Sequence, residues 1–181
     1  MARGSTVLQF EIGLSDIDRH VYEALSLKVA QHPSESGPHL VARVIAYALE
    51  FTEGLTFTSG LSSGDEPALW VRDMTGQLQA WIEIGTPEGP RLHKASKAAD
   101  RVAVYCHKEP MSWLRLLERE TVHGSEHIAL AALPAAAIGA IAEGLTRRNS
   151  WTLSRIEDAV FIESDGKSHS FNIERLSWPG T

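Results

Sequence analysis

Between Ser36 and His107 the spacing of apolar residues changes repeatedly, and the order it spells, one helix, three short strands, a helix and a strand, constrains the fold more than anything else in the chain. Leu40, Val41, Val44, Ile45, Ala48 and Phe51 recur at helical spacing, which leaves Arg43, Tyr47 and Glu50 together on the opposite stripe. Ser36 is placed to cap that helix, Pro38 falls in its first turn where a missing N–H costs little, and Gly54 closes it. LTFTSG, ALWVRDM and QLQAWIEI then read as strands, the last two joined at Thr75-Gly76 as in a tight hairpin. After the Gly- and Pro-rich loop GTPEGP, the Ala-rich run RLHKASKAAD predicts a helix and the almost uniformly apolar RVAVYCH a central strand.

The flanks complete an α+β reading. STVLQFEIGLS alternates Val7, Gln9 and Glu11 against Leu8, Phe10 and Ile12, turns at DIDR and returns as HVYEALSLKVAQ, a half-buried hairpin that Pro33-Ser34 ends. Beyond the core lie a helix at MSWLRLLERET, a strand at HIALAAL, a helix at PAAAIGAIAEGL, and a closing meander of WTLSRIED, AVFIES and SHSFNIERL that turns at Asp165-Gly166. Its strands are expected to extend or oppose the N-terminal hairpin as an additional antiparallel sheet. One domain over 1–181 is expected, with a core at 36–107 and accessory strands at 5–32 and 151–176.

Composition bounds the partners. A formal net charge of −6 excludes a broadly basic surface that coats nucleic acid, but leaves room for a local groove built on Arg91, Lys94, Lys97 and Arg101. The single cysteine, Cys106, excludes an intramolecular disulfide and a multi-cysteine zinc site, and reads as a small buried hydrophobe. HIALAALPAAAIGAIAEGL is long enough to span a bilayer but is broken by Pro134, Gly139 and Glu143. The N-terminus has neither the apolar run nor the cleavage site of a signal peptide, so no membrane partner and a cytoplasmic location are expected.

The stretch from Gly64 to Lys97 carries the candidate chemistry. In QLQAWIEI, Gln79, Trp81 and Glu83 share one face, and an ionised Glu inside a strand needs a partner such as Arg43, Arg72 or Lys94. Asp65 and Glu66 stand where the neighbouring antiparallel strand begins, which brings them towards Glu83. Carboxylates converging at a sheet end suit Mg²⁺ or Mn²⁺, which polarises a phosphoryl oxygen while a lysine such as Lys94 steadies charge or orients water. The same acids and lysines would also serve as ion pairs capping a loop.

HPSE at His32 to Glu35, Arg43, SGLSSGDEPALW, WIEIG at Trp81 to Gly85 and HKAS around Lys94 together resemble the YaeQ family of bacterial proteins, over most of the chain from Thr6 to about Trp178. That resemblance implies a divergent PD-(D/E)xK, restriction-endonuclease-like mixed core, whose order is helix, three strands, helix, strand. It also implies an acid at Asp65 or Glu66, an acid at Glu83, and a lysine two residues later, where this chain has Gly85. Lys94, or less directly Lys97, would then supply the ammonium, and Glu35 or Glu50 the helix acid. The family resemblance implies no settled activity; Asp65, Glu66, Glu83 and Lys94 on such a core lead to the expectation of Mg- or Mn-dependent cleavage of nucleic acid or another phosphodiester. The alternative is a silent module of the same fold that binds nucleic acid or a protein; in either case Glu35, Arg43, Trp70, Trp81, Arg91 and Lys97 are expected as ligand contacts.

Other candidates are weaker. His123 and His127 have helical metal-pair spacing, but Gly124 and Ser125 interrupt it. Ser34 lacks the flanking glycines of a nucleophile elbow, and Ser-Glu ahead of a helix is common cap chemistry.

Overall fold

A computed structural model of the chain describes residues 4–59 and 64–180, so 60–63 of the SGLSSGDEPALW motif lie outside the described residues. The chain opens with a long hairpin of β1 (Thr6–Asp16) and β2 (Val21–Gln31). It continues through α1 (Gly37–Leu49), β3 (Leu55–Phe57), β4 (Leu69–Arg72), β5 (Leu78–Ile84), α2 (Gly89–Ala98) and β6 (Arg101–Cys106), the predicted order. Then follow α3 (Pro110–Leu117), β7 (Ile128–Ala132), α4 (Ala135–Glu143), β8 (Arg148–Ile156), β9 (Ala159–Ser164), β10 (Lys167–Asn172) and β11 (Glu174–Leu176).

These elements build two mixed sheets. The five-stranded one runs β10-β9-β8-β1-β2, with β8 parallel to β1 and every other pair antiparallel. The closing meander therefore extends the N-terminal hairpin, but through a parallel junction, which corrects the expectation of a purely antiparallel accessory sheet. Asp165 and Gly166, both at positive φ, make its two-residue turn, as a primed hairpin turn requires. The six-stranded sheet runs β11-β7-β6-β5-β4-β3, parallel across β5, β6 and β7 and antiparallel at its edges. Glu174–Leu176, grouped by pattern with the accessory strands, pairs with β7 in this second sheet.

One apolar cluster joins the sheets. Phe10, Ile12 and Val29 of the first meet Ile82, Ile84 and Ala103 of the second around α1, with Ile138 and Ile141 of α4. On the other face of the six-stranded sheet, Trp81, Val102 and Val104 pack under Leu92 of α2 and Trp113 and Leu117 of α3. α1 is consequently enclosed all round: residues 40–49 are all buried. This corrects the expectation of a polar stripe, since Arg43 and Tyr47 face protein and Glu50 is half-buried. A helix of 13 residues is the longest here, and no helix among the described residues is long and apolar enough to cross a membrane.

Both ends of α1 are fastened. At the start Ser36 Oγ accepts the His39 N–H at 3.2 Å, with Pro38 in the first turn. At the end Arg19, from the β1–β2 turn, donates to Phe51 O at 2.9 Å and to Ala48 O at 3.3 Å, an oxygen that also accepts the Phe51 N–H, so the turn is tied to the last turn of the helix. Arg19 is itself aimed by fully buried Asp16, at 2.7 Å, which Arg155 of β8 approaches at 3.6 Å.

Removing that carboxylate strands two guanidinium groups. Asp16→Ala is therefore expected to lower unfolding free energy by roughly 3 kcal/mol, as loss of one partner from a buried ion pair does. Urea denaturation measures it, and a loss below about 1 kcal/mol, the range of an exposed pair, would show that the turn is not fastened this way.

Candidate functional site

The acid inside β5 is the natural starting point. Alternation places Glu83 on the same face as Trp81, beneath α2 and α3, where it is only 5% exposed. A carboxylate held there needs compensation. It comes from Trp81, whose indole N–H donates to Glu83 Oε1 at 2.7 Å, and from Arg91, whose Nε donates to the same oxygen at 2.6 Å. Trp81 is thus a buried support for the acid rather than a stacking surface.

Arg91 stands in the first turn of α2, and that turn is set by Gly89. A Cβ on Gly89 would lie 2.6 Å from Glu120 Cβ, so only glycine lets the helix start this close to the chain beyond α3. From there Arg91 also donates to Gly64 O at 2.6 Å and to Glu66 O. The antiparallel register, Leu69 opposite Ile82, had already brought the approach to β4 alongside the end of β5. One guanidinium therefore ties Glu83 to the segment carrying Glu66.

A second ionic group meets it from α1. Glu35, 7% exposed, accepts Arg43 Nε at 2.8 Å on Oε1 and the terminal Arg43 nitrogen at 2.9 Å on Oε2. Arg43 also donates to Ala30 O of β2 at 2.8 Å. His39, one turn before Arg43, bonds Glu35 Oε1 through Nδ1 at 2.7 Å, and its ring meets that of buried His107 edge-on at 5.5 Å. Burial, followed by the neighbouring His39 imidazole and the Lys108 ammonium, pushes the His107 imidazole from its ordinary 6.5 down to about 4. Glu35, His39, Arg43, Glu66, Glu83 and Arg91 all line one cavity of about 340 Å³, with His32, Gly64, Thr86 and Pro87 at its sides.

The other predicted residues lie elsewhere. Lys94 does not reach Glu83: its ammonium donates to exposed Asp65 at 2.6 Å and holds that carboxyl below its ordinary range. Gly85 sits at φ +101°, a conformation in which a lysine would be strained, and the cation beside Glu83 is Arg91. Of the two helix acids only Glu35 lines the cavity; Glu50 pairs with Arg101 at 2.7 Å and accepts the Tyr105 hydroxyl at 2.6 Å. The guanidinium of Arg72 stacks on Trp70, 4.2 Å from the ring centroid, and Lys97 is exposed in the last turn of α2. A basic groove of Arg91, Lys94, Lys97 and Arg101 does not form around the cavity, since of these four only Arg91 lines it. His93 Nδ1 accepts the His123 N–H at 3.1 Å, and no three His, Cys, Asp or Glu side chains among the described residues are grouped as a metal cage. Sequence reasoning passed over His39, although its spacing of four from Glu35 was a visible signal.

A sequence model of the family described as "YaeQ protein" matches residues 1–173. The chain is 35% identical over 107 residues to the uncharacterized protein YaeQ of Salmonella typhi, a match covering 59% of each chain, so it spans about three-fifths of that curated relative. It is also similar to the crystal structure of YaeQ protein from Pseudomonas syringae, with a TM-score of 0.86, 30% identity and 96% of each chain covered. The crystal structure of YaeQ protein from Xanthomonas axonopodis pv. citri gives the same TM-score and identity over 97% of this chain and 99% of that one.

Two outcomes follow, one from the Glu83–Arg91 ion pair and one from the burial of His107. Arg91→Ala leaves Glu83 buried without its cation and is expected to cost about 3 kcal/mol in urea unfolding; Arg91→Lys, which cannot span Glu83 and two carbonyls at once, should recover only part of it. His107 stays neutral in the folded chain down to about pH 4, whereas the unfolded chain binds its proton near 6.5. The stability it permits is complete above 6.5 and is lost as pH falls towards 4. The fall in urea midpoint over that window should be smaller in His107→Gln than in the wild type.

Proposed function

We propose that this chain, which belongs to the YaeQ family, is a Mg²⁺- or Mn²⁺-dependent phosphodiester hydrolase of PD-(D/E)xK type whose site is completed by its substrate. The observation that carries this reading is the meeting of Glu35, Glu66 and Glu83, from three separate segments, in one cavity with Arg43 and Arg91. The order of α1, β3, β4, β5, α2 and β6 supports a nuclease-like core.

Charge decides what such a cavity accepts. The lining holds three acidic residues and two arginines, so with His32 and His39 neutral one negative charge is in excess. A phosphodiester alone would be repelled, and a divalent cation alone would overshoot. The two together balance, and low-dielectric surroundings make that balance count. Mg²⁺ needs only one or two protein carboxylates when substrate phosphate fills further positions, so a three-residue cage is not required. Glu83 Oε2 carries no hydrogen bond among the described residues, and Glu66 uses Oε2 for the Ser59 hydroxyl, which leaves Oε1. These two acids would hold the ion, which when bound supplies positive charge at the phosphoryl oxygens. Arg91 spends three of its five N–H groups on Glu83, Gly64 and Glu66, so two are left to orient a phosphate oxygen.

Gly85 and the outward pairing of Lys94 with Asp65 favour a second reading, a silent module that binds the same ligand without cleaving it. Calorimetric titration of Mn²⁺ into the full chain, with and without a short DNA oligonucleotide, separates the readings when paired with an assay for cleavage. Mn²⁺ binding is expected to tighten at least about tenfold with oligonucleotide, a coupling near 1.4 kcal/mol, and to vanish in Glu83→Gln. Binding without cleavage would establish the silent module, and no binding of ion or oligonucleotide would overturn both.

A further inference from the structure

We propose that His39, oriented by Glu35, is the general base that takes a proton from the attacking water in this cavity. The proposal rests on the hydrolase reading above and names the group that reading lacks, since position 85 is glycine and Lys94 is turned to Asp65.

Hydrogen bonding fixes the tautomer. Glu35, paired with Arg43 through both carboxylate oxygens, is ionised and can only accept, so the bond at 2.7 Å requires that His39 Nδ1 carry the proton. In the neutral ring the lone pair is then on Nε2, which has no hydrogen bond among the described residues. His39 lines the cavity with Glu66 and Glu83. Its ring cannot swing freely: Nδ1 is held by Glu35, the edge-on ring of buried His107 stands 5.5 Å away, and its backbone N–H is bonded to Ser36 Oγ. A carboxylate behind one nitrogen of a ring that lines a ligand space is the arrangement by which an acid orients a histidine base and steadies the imidazolium that forms.

The step balances without another reactant than water. The water oxygen bonds to phosphorus as its proton passes to Nε2. The scissile P–O bond breaks with its electron pair on the departing oxygen, which takes a proton from solvent, and the imidazolium returns its proton to solvent. The products are an alcohol and a phosphomonoester.

Two measurements test this. ¹⁵N NMR of the full chain with labelled histidines reads the ring directly: His39 is expected as the Nδ1–H tautomer in the wild type, and Glu35→Gln should loosen that preference. A neutral wild-type ring protonated on Nε2 overturns the proposal whatever the activity. The second uses Mn²⁺-supported cleavage of bis(p-nitrophenyl) phosphate. His39→Gln is expected to lower kcat by about 10² to 10⁴ fold, the usual contribution of a positioned base, with Mn²⁺ affinity unchanged. A variant that cleaves within about threefold of the wild-type rate removes His39 from the chemistry and leaves the hydrolase reading standing. A wild type that binds Mn²⁺ and phosphodiester yet cleaves nothing overturns the proposal together with that reading.

Discussion

The ion pair between Arg43 and Glu35 is the contact on which the surrounding architecture depends. An arginine in the middle of a helix enclosed on every side would bury an uncompensated charge, a cost of several kcal/mol, unless a carboxylate were delivered to it. The delivery is made by the short connection between β2 and α1, and the same guanidinium reaches Ala30 O of β2. One side chain thus joins the edge of the five-stranded sheet, the loop after it and the central helix. Because Glu35 is fixed by that need, it is also fixed at the wall of the cavity, and His39 is fixed with it.

Glu83 and Arg91 repeat the arrangement from the other sheet. The acid is buried by strand alternation, the cation arrives from the first turn of α2, and spare donors on the cation tie down the approach to β4. Two buried carboxylates are thus each held by an arginine on a different helix, with ligand space between them. In both cases the same contact satisfies the requirement for charge compensation and sets the cavity wall.

Much of this was legible in the sequence. The period of apolar residues gave α1 and β5, Ser36 and Pro38 marked the helix start, and the antiparallel placing of Glu66 beside Glu83 followed from strand direction. What the pattern could not carry was how many faces of an element would be covered. Arg43 and Tyr47 look like a solvent stripe in a linear reading, and only the second sheet closing over α1 makes them interior. Partner choice was equally hidden. Arg91 and Lys94 lie one turn apart on α2, and which faces Glu83 depends on the rotation of that helix, set by Gly89 against Glu120 across thirty-one positions of chain. The strand β11 is three residues long, too short for its period to say which sheet it joins.

The parallel pairing of β1 with β8 bears on how the chain is made. Gln9–Asp16 bonds along one edge to β2, which follows at once, and along the other to Arg148–Arg155. During synthesis at about 5–20 residues per second, the hairpin emerges with one edge of β1 unsatisfied and waits on the order of ten seconds for its neighbour. Through that interval α1, which needs both sheets to cover it, is exposed on the side that the finished protein hides, and the open edge is available to any other extended chain. The side chain of Asn149, which donates to Gln9 O at 3.1 Å, is one of the groups that close the gap. The five-stranded sheet is therefore closed by a pairing between segments more than a hundred positions apart, and the edge of β1 needs protection until the second of them has been made.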